Sequence, residues 1–452
     1  MTPKRTFAGR GKTALLAVAV VGALLFLSPA ALHLASAARD TYGQLEVFAN
    51  TLSIIRKNYV EDVSNEHLIE GAIEGMMRSL DPHSAYLTPE LYKELQVDTR
   101  GTFGGLGIEI TLRDDVLTII TPLEDTPASR VGVEPGDQII KIGDTVTKGM
   151  PLMKAVSLLR GPKGTEVVLT LRRKDLPEMI EVAIKREIIN VRSVKGSKLY
   201  NGRYGYVRVV QFQEGTAAEL ETALAQLDEE AGGVMQGLVL DLRRNPGGLL
   251  NQAVKVSDLF IDAGLIVYTD GRIDTQKQRF LAHDEGTRPD VPMVVLVDGG
   301  SASASEIVAG AMQDHDRAVV LGTQTFGKGS VQTILPLDSA SALRLTTARY
   351  YTPSGRSIQA TGITPDVVVE PTVVLARASG DSPGVRESDL PAHMENEQGV
   401  SDLSAGGQLG DDPQLERALD LLKTWKVFSR YQTSGADMRE PLPAAVPTPS
   451  GD

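Results

Sequence analysis

Two short segments of this 452-residue chain carry the residue types of a hydrolytic site. The first runs from Val294 to Gly310 and contains Gly299-Gly300-Ser301-Ala302-Ser303-Ala304-Ser305-Glu306. It reads as a buried strand, a tight glycine turn and the start of a small-residue helix. A serine at that helix start lies among free backbone N–H groups and the positive end of the helix dipole, which suits an oxyanion. The second segment is Gly322-Thr323-Gln324-Thr325-Phe326-Gly327-Lys328-Gly329-Ser330-Val331-Gln332. A serine nucleophile needs a base, and Lys328 is the best candidate partner for Ser303. Lysine serves as a base only if burial lowers its pKa from ~10.4 towards neutrality. Phe326 would supply an apolar lid. The plainer readings are a helix-capping serine in a small-residue packing face, and a solvated loop lysine. Three alternating serines cannot all be the cap, and spacing does not choose among Ser301, Ser303 and Ser305.

A third segment, Asn245-Pro246-Gly247-Gly248, follows an apolar strand. It is either an ordinary turn or a place where the N–H of Gly247 or Gly248 points at a substrate carbonyl, with Ala304 N–H as a second oxyanion donor. The spacing from Gly322 to Lys328 also matches the G-x-x-x-x-G-K of a phosphate loop. Gly329 then stands where a magnesium-binding Ser or Thr belongs, and the following residues alternate like a strand. The nucleotide reading is therefore set aside.

Composition narrows the chemistry further. The net charge is −12, against a nucleic-acid partner, which wants a basic face. There is no cysteine, so disulfides, thiolate catalysis and zinc–thiolate sites are excluded. Six histidines in no H-x-x-x-H spacing give a metalloprotease little support, and no metal or cofactor is expected. Lys4, Arg5, Arg10 and Lys12 precede an apolar run from Ala14 to Leu27, and Ala35-Ser36-Ala37 offers a cleavage site. That pattern predicts export. The run is shorter than the ~20 residues of a spanning helix, so a cleaved signal is favoured over a membrane anchor.

Several elements must position these groups. Leu68, Ile69, Ala72, Ile73, Met76, Met77 and Leu80 predict an amphipathic helix ended by Asp81-Pro82-His83-Ser84. Strands at 116–121 and 166–172, with turns at 134–137 and 161–164, predict a small β-rich module. It opens with Gly104-Gly105-Leu106-Gly107-Ile108, whose backbone N–H groups could cradle a carboxylate. From Tyr204 the chain alternates strand and helix: strands at 206–212, 237–242, 293–297, 319–321 and 331–335, helices at 216–227 and 250–260. That is α/β logic. Residues 376–411 read as a linker, 413–425 as one more amphipathic helix, and the chain from Ser434 as a disordered tail.

Together these segments resemble the C-terminal processing peptidases, or tail-specific proteases, of serine peptidase family S41. The matches are Asp241–Gly248, Gly300–Glu306, Thr325–Gln332, Tyr350-Tyr351-Thr352-Pro353-Ser354-Gly355-Arg356, Asp81–Leu87 and Gly104–Ile108. The resemblance covers roughly residues 45 to 370. It implies an α/β, crotonase/ClpP-like catalytic core, an inserted PDZ domain and an N-terminal helical segment. It also implies a Ser–Lys dyad of Ser303 and Lys328, with Gln332 orienting the lysine. Within the PDZ domain, Gly105, Leu106, Gly107 and Ile108 would hold the terminal carboxylate of a substrate tail. Arg160 matches an arginine that links that domain to the catalytic site.

The resulting division is 1–37 signal or anchor, 38–100 helical region, 101–187 PDZ domain and 188–370 catalytic core. Linker 371–411, helix 412–432 and tail 433–452 follow. The expected function is an exported, periplasmic or cell-envelope endopeptidase acting on proteins with apolar C-terminal tails through an acyl-enzyme. Membrane contact would run only through the N-terminal segment. An adaptor protein and a homo-oligomer stay open. The competing readings are a non-catalytic PDZ scaffold and a crotonase-like acyl-transfer enzyme.

Overall fold

The computed structural model describes residues 28–113, 115–174, 176–288, 290–371, 386–390, 393–394 and 412–436. The chain separates into two compact units, residues 1–76 and 77–452. In the first unit, helix Ser28–Asn58 carries Tyr42, Val47 and Ile54 exposed. Helix Asn65–Arg78 begins in this unit and ends in the second. Of the apolar face expected there, Met77 is buried and Leu68, Ala72 and Ile73 are half-buried, but Ile69, Met76 and Leu80 are exposed. Neighbours in sequence lie about 100° apart on a helix, so a stripe containing adjacent pairs is wider than one side can bury. Residues 1–27 of the expected signal lie outside the described residues, and 28–37 are helical. Among the described residues no helix is long and apolar enough to cross a membrane.

The second unit opens with strand β1 (Ala85–Leu87) and helix Pro89–Arg100, capped by Thr88 and closed by left-handed Gly101. Strand β2 (Thr102–Gly105) leads into a module of β3 (Ile108–Arg113), β4 (Val116–Pro122), β5 (Gln138–Ile142), β6 (Thr145–Val146), β7 (Glu166–Arg172) and β8 (Ile180–Lys185). Its sheet runs β3-β4-β5-β7-β8, with helix Leu152–Leu159 contributing buried Ala155 and Leu159. Leu117, Ile119, Ile139, Leu169, Leu171 and Ile184 form its core. Strand β9 (Glu187–Asn190) pairs with β2, so the chain enters and leaves the module side by side.

Then follow β10 (Val194–Tyr200), β11 (Tyr204–Val209), β12 (Gly237–Asp241), β13 (Leu265–Gly271), β14 (Gln278–Leu281), β15 (Met293–Val297), β16 (Val319–Gly322), β17 (Ser330–Pro336), β18 (Ala342–Tyr351) and β19 (Val367–Val368). One sheet has the order β10-β11-β12-β15-β16-β19, parallel from β11 onward. Both faces of its centre are covered, so β12 and β15 are buried at every position, as their continuous apolar sequences require. Helices Thr216–Glu230, Leu250–Asp258 and Ala304–Asp314 supply the largest core. Ala418, Leu419 and Leu422 of helix Pro413–Ala436 pack with Val239, Val294 and Leu321 in a separate cluster. An antiparallel sheet, β1-β18-β13-β14 with β17 on β18, completes the unit. The fold is mixed α/β with a separate β-rich module and an N-terminal helical segment.

Two sequence expectations change at the C-terminal end. Residues 386–390, read as linker, form a packed turn with Glu387 fully buried. Polar composition suggested a solvated segment because it does not reveal the distant partners of that carboxylate. The last helix runs through Ala436, past 432. Residues 437–452 of the expected tail and most of the 371–411 linker lie outside the described residues.

Candidate active site

Three adjacent parallel strands, β12, β15 and β16, run in register, and each of the three suspect segments follows the C-terminal end of one of them. Clefts beyond the carboxyl ends of parallel strands are where open α/β sheets gather ligands. The segments are laced together. Ala302 N–H donates to Asn245 O at 3.0 Å, and Phe326 N–H to Ser301 O at 3.1 Å.

The same lacing separates the three serines. Ser301 Oγ donates to Leu242 O at 2.8 Å, and Ser305 Oγ to Asn245 O at 2.9 Å. Both hydroxyls are fully buried structural ties. Ser303 sits at the N-cap of helix Ala304–Asp314 with φ 54° and ψ −111°. A positive φ is rare for a residue with a Cβ and costs of order 1–3 kcal/mol. Burial pushes the pKa of the neighbouring Tyr350 phenol up to about 12, and the Ser303 side chain pulls against it.

Glu306 holds this strained turn to the lysine loop. Its side chain is completely buried. Oε2 accepts from Ser303 N–H at 2.7 Å and from Lys328 N–H at 2.9 Å. Oε1 accepts from Gly327 N–H at 2.7 Å and Thr325 Oγ1 at 2.6 Å. Burial pushes the carboxyl up to about 7, and these four bonds pull against it. All four partners donate, and the Thr325 hydroxyl is already accepting from Ile363 N–H at 2.7 Å. Three of the four are N–H groups that can only donate, so the bonds favour the ionised carboxylate. Sequence reading gave Glu306 no role. The S-x-x-E spacing of a capping box was the available signal.

Lys328 is partly buried. Burial lowers its pKa below 10.5, and Arg344 pushes the same way; Glu387, Glu306 and Asp81 oppose them. No hydrogen bond joins Lys328 Nζ to the Ser303 hydroxyl among the described residues. Gln332 lies on β17, where Nε2 donates to Ser330 Oγ at 2.9 Å and Thr346 Oγ1 at 3.4 Å, not to Lys328. The strand Ser330–Pro336 stands where a phosphate loop would need a helix.

Gly247 lies against the serine: a Cβ there would come within 2.9 Å of both Ala304 N and Ser303 Cβ. Its N–H donates to Asn245 Oδ1 at 2.9 Å. The N–H groups of Gly248 and Ala304 have no partner among the described residues. His315 caps the far end of the helix and bonds Leu265 O, away from this chemistry.

In the β-rich module, Gly105 ends β2 and Ile108 opens β3. Between them the carbonyls are occupied: Leu106 O accepts from Ala128 N–H at 3.0 Å, Gly107 O from Leu123 N–H at 2.8 Å and Thr126 Oγ1 at 3.1 Å. The N–H groups of Leu106 and Gly107 have no partner among the described residues. Arg160 stacks over Phe103 at 4.6 Å, pairs with Glu94 at 3.8 Å and lies beside Asp98. Its contacts are thus with helix Pro89–Arg100 and β2, and not with Ser303 or Lys328. That helix meets the core through Gln213 Nε2 to Asp98 O at 3.1 Å and Glu214 N–H to Thr99 O at 3.0 Å. Phe212, next in sequence, bridges to Gly248.

The model of Peptidase family S41 matches residues 203–369, that of the PDZ domain 94–172, and that of the activating protease CtpB N-terminal domain 29–90. A carboxy-terminal-processing protease of Bartonella bacilliformis is 45% identical over 392 residues, covering 85% of this chain and 89% of that protein. The carboxy-terminal processing protease CtpA of Bacillus subtilis is 37% identical over 321 residues, 70% of this chain and 67% of that one. The solved photosystem II D1 C-terminal processing protease is 30% identical, with TM-score 0.44, over 72% of this chain and 87% of that one. The chain belongs to peptidase family S41: it is a serine-type, carboxy-terminal processing protease with a PDZ domain.

Proposed function

We propose that the chain is an exported endopeptidase of the periplasm or cell envelope that cleaves proteins through a Ser303–Lys328 dyad. Neutral Lys328 takes the proton from Ser303 Oγ, and Oγ attacks the scissile carbonyl. The Gly248 and Ala304 N–H groups receive the oxyanion. The N–H of Gly247 joins them only by exchanging its bond to Asn245. The Lys328 ammonium returns its proton to the leaving amine as the peptide bond breaks, and water then hydrolyses the acyl-enzyme. Gln332 orients Lys328 once substrate is bound, which requires it to leave Ser330 and Thr346.

The observation that carries this reading is the shared oxygen. Glu306 Oε2 takes the backbone N–H of both Ser303 and Lys328, so one buried atom ties the two backbones together. The commitment of the Ser301 and Ser305 hydroxyls elsewhere supports Ser303 as the nucleophile.

The PDZ domain would bind apolar C-terminal tails through the N–H groups of the Gly105–Ile108 turn, the peptide adding as a strand. Arg160 would pass that event to helix Pro89–Arg100, and Gln213 and Phe212 on to Gly248. An apolar-tailed, unfolded protein should be degraded by the wild type and left intact by Ser303→Ala and by Lys328→Ala. Full activity in Lys328→Ala would refute the base assignment. Arg160→Ala should slow proteolysis while keeping tail affinity.

A further inference from the structure

The described residues 386–390 and 393–394 lie beyond the S41 match, which ends at 369, yet they pack against the lysine loop. Glu387 is their anchor, with 0% exposure. Both its carboxylate oxygens are 2.7 Å from His83 Nε2, and Oε1 also accepts from Gln359 Nε2 at 3.1 Å. Gln359 is itself fully buried, and its Oε1 accepts the Gly329 N–H at 3.0 Å. Its Nε2 reaches Met394 O at 3.2 Å as well. The Glu387 N–H donates to Phe326 O at 3.3 Å. Phe326 and Gly329, on either side of Lys328, are therefore both tied to this strap. The rest of the turn brings little apolar burial, since Leu390 is only half-buried and Asp389 is exposed. A buried carboxylate is costly unless its partners are in place, so its position is set by polar contacts and not by collapse.

We propose that Glu387 is a positioning residue for Lys328, delivered by a strap that follows the catalytic core and clamps the loop carrying the base. The inference rests on the reading of Lys328 as that base. The charges around the pair fix the direction of its electrostatic effect. His83 faces Glu387, and Arg344 on β18 bonds His83 O at 3.0 Å. Arg344 favours the neutral lysine, while Glu387, Glu306 and Asp81 favour the ammonium. Removing the Glu387 charge leaves Arg344 less opposed, so Lys328 stays neutral further into acid. Glu387→Gln removes the charge and keeps an oxygen for Gln359; Glu387→Ala removes the clamp as well.

The test measures kcat and KM against pH for the full chain, its Glu387→Gln and Glu387→Ala forms, and Lys328→Ala. The substrate is an unfolded protein with an apolar C-terminus, and thermal melts accompany each variant. The clamp predicts that the acid limb of kcat/KM moves to lower pH in Glu387→Gln. In Glu387→Ala it predicts a kcat loss of roughly 10- to 100-fold with little change in KM. Wild-type kcat and an unmoved acid limb in both variants would overturn it. So would lowered melting with an unmoved limb in Glu387→Gln, which assigns Glu387 a purely structural role. If Glu387→Ala does not fold, Glu387→Gln decides alone. Activity surviving in Lys328→Ala overturns the base reading itself. An inert Lys328→Ala beside unaffected Glu387 variants overturns only the clamp.

Discussion

The PDZ turn and the Ser303 turn both present free backbone N–H groups, but they are held in opposite ways. The PDZ turn is fixed by neutral donors, the N–H groups of Ala128 and Leu123 and the hydroxyl of Thr126, on the carbonyls of Leu106 and Gly107. The serine turn is fixed by a buried carboxylate, Glu306, with a partly buried lysine in the same loop network. A turn that only receives an anion needs oriented dipoles and little else. Under the proposed dyad, a turn that must also hold a strained serine to the lysine loop needs stronger ties, and bonds to a charged acceptor are about twice as strong as neutral ones. On the proposed mechanism, desolvated charge sits where a proton moves, and not where a tail is read.

The largest way to break this contrast is Glu306→Ala. It strands the donors on Ser303, Thr325, Gly327 and Lys328. Chemical denaturation should show a loss of about 3–5 kcal/mol, as for one partner of a buried ionic network. Peptide hydrolysis should fall at least ~100-fold. Near-native values in both assays would mean the carboxylate is incidental.

The next comparison pits one glycine against another. A Cβ on Gly248, at φ 140°, would lie 2.1 Å from Phe212 O, and on Gly107, at φ 75°, 2.2 Å from Thr126 Cβ. Gly248→Ala should lower kcat, by about 10²-fold if an oxyanion donor is displaced. Gly107→Ala should weaken binding of an apolar C-terminal peptide, about tenfold for ~1.4 kcal/mol of lost contact. Fluorescence polarisation with the peptide and steady-state kinetics separate the two, and the contrast fails if the effects are exchanged.

The smallest effect concerns stability. Lys328 has a folded pKa below its ordinary 10.5, so between those values the unfolded chain binds more protons. Wild-type stability therefore gains as pH rises through that interval. Lys328→Met should be inert yet lose no stability near neutral pH, and its advantage should shrink as pH approaches 10.5. Parallel unfolding curves at every pH would show that burial does not strain the lysine.

Sequence alone was most informative where local pattern and environment coincide. The all-apolar β15 had to be a strand covered on both faces, and glycines followed by small residues had to turn into a helix. The α/β core and the separate β-rich module followed from such periods. The choice among three serines did not, because it is made by carbonyls of Leu242 and Asn245 some sixty positions earlier in the chain. Strand β18 is not legible by period, since its burial does not alternate cleanly. Gln332 could be placed near the lysine loop but not paired, and Glu387 was hidden in polar sequence. Tertiary partners fix those outcomes, and local composition carries no trace of them.

On the proposed mechanism Lys328, made less basic by burial, deprotonates Ser303. The most direct measurement is the rate at which a serine-reactive fluorophosphonate labels Ser303 across pH, in wild type, Lys328→Ala and Lys328→Arg. Wild-type labelling should show an acid limb below the ordinary lysine range, and labelling should be slower by at least ~100-fold in both variants. Wild-type labelling rates in either folded variant would contradict it.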